Sequence, residues 1–331
     1  MNWMKKHAAG ISYVLGISIV AYFIGRMLPI IGGPVFGLLI GMILSNTIGK
    51  AESTVAGIVF CSKKILQWSI ILLGCGLSLT EVWKTGSESL LVMLITLLAA
   101  FAAAYGFGRL MNIPENLNSL IAVGTGICGG SAIAAVSPII KAKNDEIAYG
   151  ISVVFFMNMI AVLAFPSIGH WLHLSDEGFG LWAGTAIHDT SSVVAAGYIF
   201  SDEAGAYATI VKLTRTTLII PIVFVFAIIM SKREQKNKSA QYSMKKVFPW
   251  FIVWFLAASL LNTMNLFSQD IVVMTHFLAK FMIIMALSAI GLSSNLRSIV
   301  QSGYKPLLFG LAVWIAVTFT SLAIQYATGQ W

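Results

Sequence analysis

The chain has 331 residues, of which 58% are hydrophobic and only 10% charged, with 29 Gly, 8 Pro and 3 Cys. Soluble domains carry about 25% charged residues, and a single water-soluble core stops growing near ~250–300 residues, so an ordinary soluble fold is excluded. Disorder, collagen and a disulfide scaffold fall on the same counts. A mean hydropathy of +0.86, carried by long continuous apolar runs rather than ~10-residue alternating stretches, defines an all-α polytopic membrane protein.

The net charge of +8 sits in short connectors between the apolar runs. That is the positive-inside pattern, and it argues against a nucleic-acid partner. Cys61, Cys75 and Cys128 lie in or beside apolar segments and read as reduced packing residues rather than bridges.

Lys5 and Lys6 precede an apolar run that imitates a secretory signal. No small-x-small cleavage site follows, and the next run begins almost at once, so the run reads as a retained first span. About 20 apolar residues cross a ~30 Å hydrocarbon core. On that measure the candidate segments are 11–28, 30–48, 65–80, 90–108, 117–140, 147–172, 179–200, 204–230, 248–267, 271–292 and 306–327. They are read as a single integral membrane domain over 1–331 with no separate soluble part.

If all eleven segments cross, Lys5/Lys6, Lys50/Lys63/Lys64, Arg109 and the cluster Lys232, Arg233, Lys236, Lys238, Lys245 and Lys246 share the cytoplasmic side with the N-terminus. Lys141 and Lys143 then fall outside, and the stretch 170–178, which has no Lys or Arg, falls inside. Both conflicts vanish if segments 117–140 and 179–200 are broken or re-entrant. The C-terminus is expected outside in either case.

The same two segments carry a repeat. Gly124-Thr125-Gly126-Ile127, with Ser131 and Ala135, recurs sixty residues later as Gly184-Thr185-Ala186-Ile187, with Ser191 and Ala195. A shorter echo pairs Gly76-Leu77-Ser78 with Gly291-Leu292-Ser293. Transporters are commonly built from inverted repeats, with interrupted helices holding substrate near the midplane; common small residues produce chance echoes too.

The chemistry gathers in and around the repeat. Gly124, Gly126, Gly129 and Gly130 crowd into seven residues, and each costs about 1 kcal/mol of helix stability relative to Ala. Unwinding there would free backbone groups and the hydroxyls of Thr125 and Ser131, with helix N-terminal amides suited to an anion. Close helix packing through small residues is the competing reading. In the second copy, His188-Asp189-Thr190 replaces Cys128-Gly129-Gly130. Ionisable residues at membrane depth usually face the bundle interior, so His188 and Asp189 read either as proton-carrying or substrate-contacting groups or as a structural pair; Thr185 and Ser191 accompany them.

Lys212 and Arg215 lie three apart inside segment 204–230. On one helix face both could bind a single anionic group, Arg as a fork of donors and Lys as a point charge. Snorkelling to the outer interface is the alternative, because only fifteen uninterrupted residues follow Arg215; the positive-inside rule disfavours it. Asn158 is either a site residue or interhelical glue. Asp145-Glu146 and Asp202-Glu203 precede helices and suit their N-terminal dipoles. The nine Trp fit an interfacial belt. Metal-ligand spacings, Walker A lysines, nucleophile elbows and HExxH are absent from the sequence, so neither a metal, another cofactor nor enzymatic catalysis is expected.

The runs GTGICGGSAIAAVSPIIKAKNDEIAYGISVVFFMN, GLWAGTAIHDTSSVVAAGY and KLTRTTLIIP resemble the YeiH family of bacterial inner-membrane proteins, whose members carry a sulfate-exporter label. The likeness covers essentially the whole chain. It implies an inner-membrane secondary transporter in which two inverted repeats meet at broken helices. The expected function is export of a small anion, sulfate or a sulfonate, with proton or sodium coupling open. Its site would comprise Gly124, Thr125, Gly129, Gly130, Ser131, Asn158, Thr185, His188, Asp189, Ser191, Lys212 and Arg215. Its partners would be that anion and the lipid bilayer, and a homo-oligomer is compatible with the sequence. A cation/proton antiporter using Asp189 and a non-catalytic membrane scaffold are the competing readings.

Overall fold

A computed structural model of the protein describes residues 2–27, 32–233, 250–293 and 304–331. Among the described residues the regular structure is helical. In chain order it comprises α1 (Asn2–Met27), α2 (Gly32–Thr47), α3 (Glu52–Phe60), a wider π turn at Cys61–Ile65, α4 (Leu66–Gly74), α5 (Leu79–Leu110), α6 (Glu115–Gly126) and α7 (Gly130–Val136). There follow α8 (Asn144–Trp171), α9 (Asp176–Ala186), α10 (Thr190–Phe200), α11 (Asp202–Thr217), α12 (Ile219–Arg233), α13 (Trp250–Thr263), α14 (Gln269–Ser293) and α15 (Tyr304–Thr328).

Among the described residues, seven helices are long and apolar enough to cross a membrane: Lys6–Met27, Glu52–Gly74, Leu79–Leu110, Asp145–Trp171, Asp202–Met230, Gln269–Ser293 and Tyr304–Thr328. Three shorter apolar helices accompany them. The chain is an all-α polytopic membrane protein, but its segments are not eleven equal spans. Large apolar side chains stay exposed along one side of α5 (Leu91, Leu94, Leu98) while Val92, Met93 and Ala100 on the same helix are buried. So long an apolar face suits lipid and not water.

The third segment is displaced from its expected place at 65–80. The helical path there is Glu52–Gly74, because exposed Lys63 and Lys64 ride on the outside of the π turn instead of ending a span. Residues 75–78 form the turn before α5, where Ser78 and Glu81 cap each other: Ser78 N donates to Glu81 Oε2 at 2.9 Å and Glu81 N to Ser78 Oγ at 3.1 Å. The counterpart of that turn in the shorter echo, Gly291-Leu292-Ser293, is helical, so this echo has no structural basis.

The helix of segment 204–230 is interrupted at Leu218, between α11 and α12. Pro221 offers no amide to the carbonyl of Thr217, and Leu218 N tightens onto Arg215 O at 3.1 Å instead. Lys236, Lys238, Lys245, Lys246 and the start of the ninth segment at 248 lie outside the described residues.

The chain divides into two compact units. The first comprises Met1–Lys84, Val194–Ala206 and Phe251–Arg297. Within it α14 packs against α1, α2, α3 and α4, over a core of Val14, Ile17, Ile58, Cys61, Met285, Ala289 and Leu292. The second comprises Thr85–Val193, Tyr207–Trp250 and Ser298–Trp331. In it α6 packs on α7, α8 and α15, and α15 also on α8 and α9. Leu120, Val123, Ile127, Ile133, Val136, Val154 and Ile219 are among its buried core residues.

The α2–α14 contact requires glycine. A Cβ on Gly41 would lie 2.9 Å from the amide nitrogen of Leu292 and 3.2 Å from the carbonyl carbon of Gly291, and backbone atoms cannot step aside. Gly106 has open space around the equivalent point. Replacing Gly41 by Val is expected to destabilise the detergent-solubilised protein by about 1–3 kcal/mol through overpacking. Gly106→Ala is expected to leave the midpoint undiminished. Thermal denaturation followed by size-exclusion chromatography distinguishes the two.

Candidate functional site

Both repeat segments are interrupted, and at matching places. α6 ends at Gly126 and α7 begins at Gly130; α9 ends at Ala186 and α10 begins at Thr190. The sixty-residue offset read from the sequence therefore reproduces both helix ends and both helix starts. The breaks fall at 127–129 and 187–189. Gly124 stays helical, beside Ile133 and Val154, and so does Gly184, beside Val211 and Ala208 of α11.

Gly129 adopts φ 68°, in the left-handed region that glycine enters freely. The two breaks meet here: a Cβ on Gly129 would stand at ordinary contact distance from the second break, 3.6 Å from His188 C and 3.7 Å from Asp189 N. Gly130 next to it faces open space.

Ending a helix at membrane depth leaves its last carbonyls without amide partners, and each needs a donor. α11 provides most of them. Lys212 and Arg215 are both 0% exposed, which removes the snorkelling alternative. Lys212 Nζ donates to Ile127 O at 2.9 Å and Ile187 O at 2.8 Å. Arg215 Nε donates to Gly126 O at 2.9 Å, its Nη2 to Thr125 O at 3.3 Å, and its Nη1 to Thr185 O. The remaining carbonyl of the set, Ala186 O, accepts from Trp314 Nε1 of α15 at 3.0 Å. Three carbonyls at the end of α6 and three at the end of α9 are thus met by three side chains.

The starts of the second halves are treated differently. Asn158, in α8, accepts through Oδ1 from His188 N at 2.9 Å and Asp189 N at 3.2 Å, and so fixes the second break. The Asp189 carboxylate accepts from Ser191 N at 3.0 Å, from Ser192 N at 3.4 Å and from the Ser191 hydroxyl. It thereby caps α10. At the equivalent place in the first break stands Gly129, and α7 has no side-chain cap. Ser131, exposed, donates to Cys128 O at 3.0 Å. The Thr185 and Ser321 hydroxyls share a 2.7 Å hydrogen bond.

His188 stands apart. It is 1% exposed, yet among the described residues neither Nδ1 nor Nε2 has a hydrogen-bond partner. Its ring stands edge-on to Trp314 at 6.5 Å. Phe165 stacks on Trp182 at 4.0 Å and lies 5.8 Å from Trp314.

All the expected site residues thus either line the breaks or bond to them, Gly124 through its carbonyl, which accepts from Gly129 N at 2.9 Å, and Ser131 through its bond to Cys128 O. Trp182, Trp314, Ser321 and buried Gln325 were not expected there, and the two Trp were read as part of an interfacial belt. The spacing of Trp314, Thr318, Ser321 and Gln325 puts them on one face of α15, a polar stripe visible in the sequence as helical periodicity. Among the described residues, no cluster of three or more His, Cys, Asp or Glu is placed to ligate a metal.

A polytopic helical membrane protein whose second unit is organised around two broken helices and two buried cations is the class these features define. The chain matches the family model "Conserved hypothetical protein 698" over residues 9–310. It is 42% identical over 347 residues to a "UPF0324 membrane protein" of Clostridium tetani, covering 100% of both chains. It is 45% identical over 336 residues to one of Streptococcus pneumoniae, with 99% of each covered, and 41% identical over 346 residues to one of Fusobacterium nucleatum, at 98% and 99%. The chain belongs to this UPF0324 membrane protein family, which is the YeiH family its motifs resemble.

Asn158 provides a direct test of the second break. Asn158→Leu would leave the His188 and Asp189 amides bare, at about 1–3 kcal/mol for each buried donor. Asn158→Asp keeps an acceptor oxygen at the same place. The Leu variant is expected to melt well below wild type in detergent, and the Asp variant much closer to it.

Proposed function

We propose that the protein is a secondary active transporter that moves a small oxyanion, sulfate- or sulfonate-like, across the bacterial cytoplasmic membrane. On this reading the N-terminus is cytoplasmic and the C-terminus outside. The observation that carries it is the charge balance at the breaks: Lys212 and Arg215 are both fully buried, and the two breaks carry one carboxylate, that of Asp189. Among the described residues neither cation forms a salt bridge. One positive charge is left in excess on buried side chains, and an unbalanced buried charge costs several kcal/mol. An anion supplies the balance.

Since the donors of both cations are already directed at helix-end carbonyls, Lys212 and Arg215 act as a fixed positive field. The anion is then met by hydroxyl and backbone groups beside Gly130, where space is open. Preorganised charge of this kind needs no rearrangement when the ligand arrives.

The test is flux. Proteoliposomes loaded with unlabelled anion are expected to exchange radiolabelled sulfate or sulfite, and Lys212→Ala and Arg215→Ala are each expected to lower exchange at least tenfold, with folded protein verified by size-exclusion chromatography. Wild-type-like exchange in both variants would overturn the reading. The partly exposed carboxylate of Asp189 favours a second reading, cation/proton antiport. Sodium-dependent internal pH change without anion exchange, lost in Asp189→Asn, would establish that one instead.

A further inference from the structure

We propose that His188 is the proton-coupling residue, taking up one proton with each anion and releasing it with that anion; this rests on the anion-transport reading above. A buried structural histidine normally has at least one ring nitrogen held by a donor or acceptor, which fixes its tautomer. Here the imidazole is 1% exposed and both nitrogens are bare. The backbone of the residue is held by Asn158 and the ring rests edge-on to Trp314. The side chain is therefore enclosed while its proton-binding atoms are uncommitted.

The groups around it say when a proton is held. From α11, Lys212 and Arg215 both act electrostatically on the imidazole. Asn158 of α8 and Trp314 of α15 bring no charge. The neighbouring carboxylate of Asp189 is engaged with the amides of Ser191 and Ser192 and with the Ser191 hydroxyl, which makes it the helix cap and leaves His188 as the free proton carrier. A proton on the imidazole adds a third positive charge to the site, and an anion beside it supplies the matching negative one. Each therefore favours binding of the other, and by thermodynamic reciprocity to the same extent. No covalent bond changes: one proton from solvent joins a ring nitrogen as the anion enters and returns to solvent on the other side as it leaves.

The experiment separates exchange from coupling. In proteoliposomes holding equal sulfite or sulfate on both sides, counterflow of the radiolabel needs no gradient and tests the transport reading alone. With an imposed pH gradient, alkaline inside, wild type is expected to accumulate label several-fold above equilibrium while a lumenal pH dye reports acidification. His188→Gln keeps a polar, non-titrating side chain. At anion concentrations high enough for its remaining counterflow to be measured, it is expected to lose both accumulation and acidification.

Accumulation by His188→Gln equal to wild type would sink the assignment. So would counterflow by wild type with neither accumulation nor acidification, a measurement that does not depend on the variant folding. Absence of counterflow for both anions would remove the transport reading, and this inference with it.

Discussion

The six carbonyls at the ends of α6 and α9 are the constraint on which the rest of the second unit depends. In water, frayed helix ends are solvated; in hydrocarbon each unmatched carbonyl costs several kcal/mol. The protein meets them in matched pairs. Lys212 takes Ile127 O and Ile187 O, Arg215 takes Thr125 O and Thr185 O, and Gly126 O and Ala186 O go to Arg215 and Trp314. Cations suit these positions for a second reason, since a helix carries partial negative charge at its C-terminal end. The same two side chains that make the breaks tolerable also create a fixed positive field there.

The symmetry of that arrangement makes its asymmetry informative. Both first halves end in the same way, but the second halves start differently. α10 has the Asp189 carboxylate on its amides, whereas the equivalent residue ahead of α7 is Gly129, with φ 68° and no side chain. His188 has Cys128 as its counterpart, and there Ser131 donates to the Cys128 carbonyl and sulfur. One copy of the repeat is internally satisfied by a charge and carries an uncommitted imidazole. The other leaves open space beside Gly130. A ligand site built from two such halves has its titratable group on one side and its room on the other.

What was legible in the sequence follows from what side-chain chemistry can signal. Interruption of segments 117–140 and 179–200 was readable from clustered glycines, from loop charges and from the sixty-residue repeat. Burial of Lys212 and Arg215 was readable because the alternative conflicted with the positive-inside pattern. Their actual partners were not, because main-chain carbonyls carry no mark in a sequence, and an anionic ligand was the more visible complement. The breaks also lie three residues beyond Gly124 and Gly184, at the point where Gly129 takes its left-handed turn; glycine composition marks a weak stretch but not where it yields. Segment 65–80 is misplaced because Lys63 and Lys64 read as part of the loop before a span, whereas a π turn carries them on an exposed face inside a longer helical path. Trp314 was lost among belt tryptophans, although its stripe with Ser321 and Gln325 had helical spacing.

Anchoring both breaks to one helix also limits how the site can move. Lys212 touches the end of α6 and the end of α9 with one ammonium, and Arg215 does the same with one guanidinium. Separating the two breaks would strip buried donors and acceptors together, each at about 1–3 kcal/mol, and leave two charges without contacts. Sliding α11 along its axis would do the same to all five of these carbonyls at once. The low-energy motion is therefore one in which α6, α9 and α11 travel as a body, with flexibility displaced to places where hydrogen bonding is already relaxed. Leu218 is such a place, because Pro221 has removed an amide from the ladder just below the cations. An anion of the kind proposed would then travel together with these fixed charges instead of being pulled away from them.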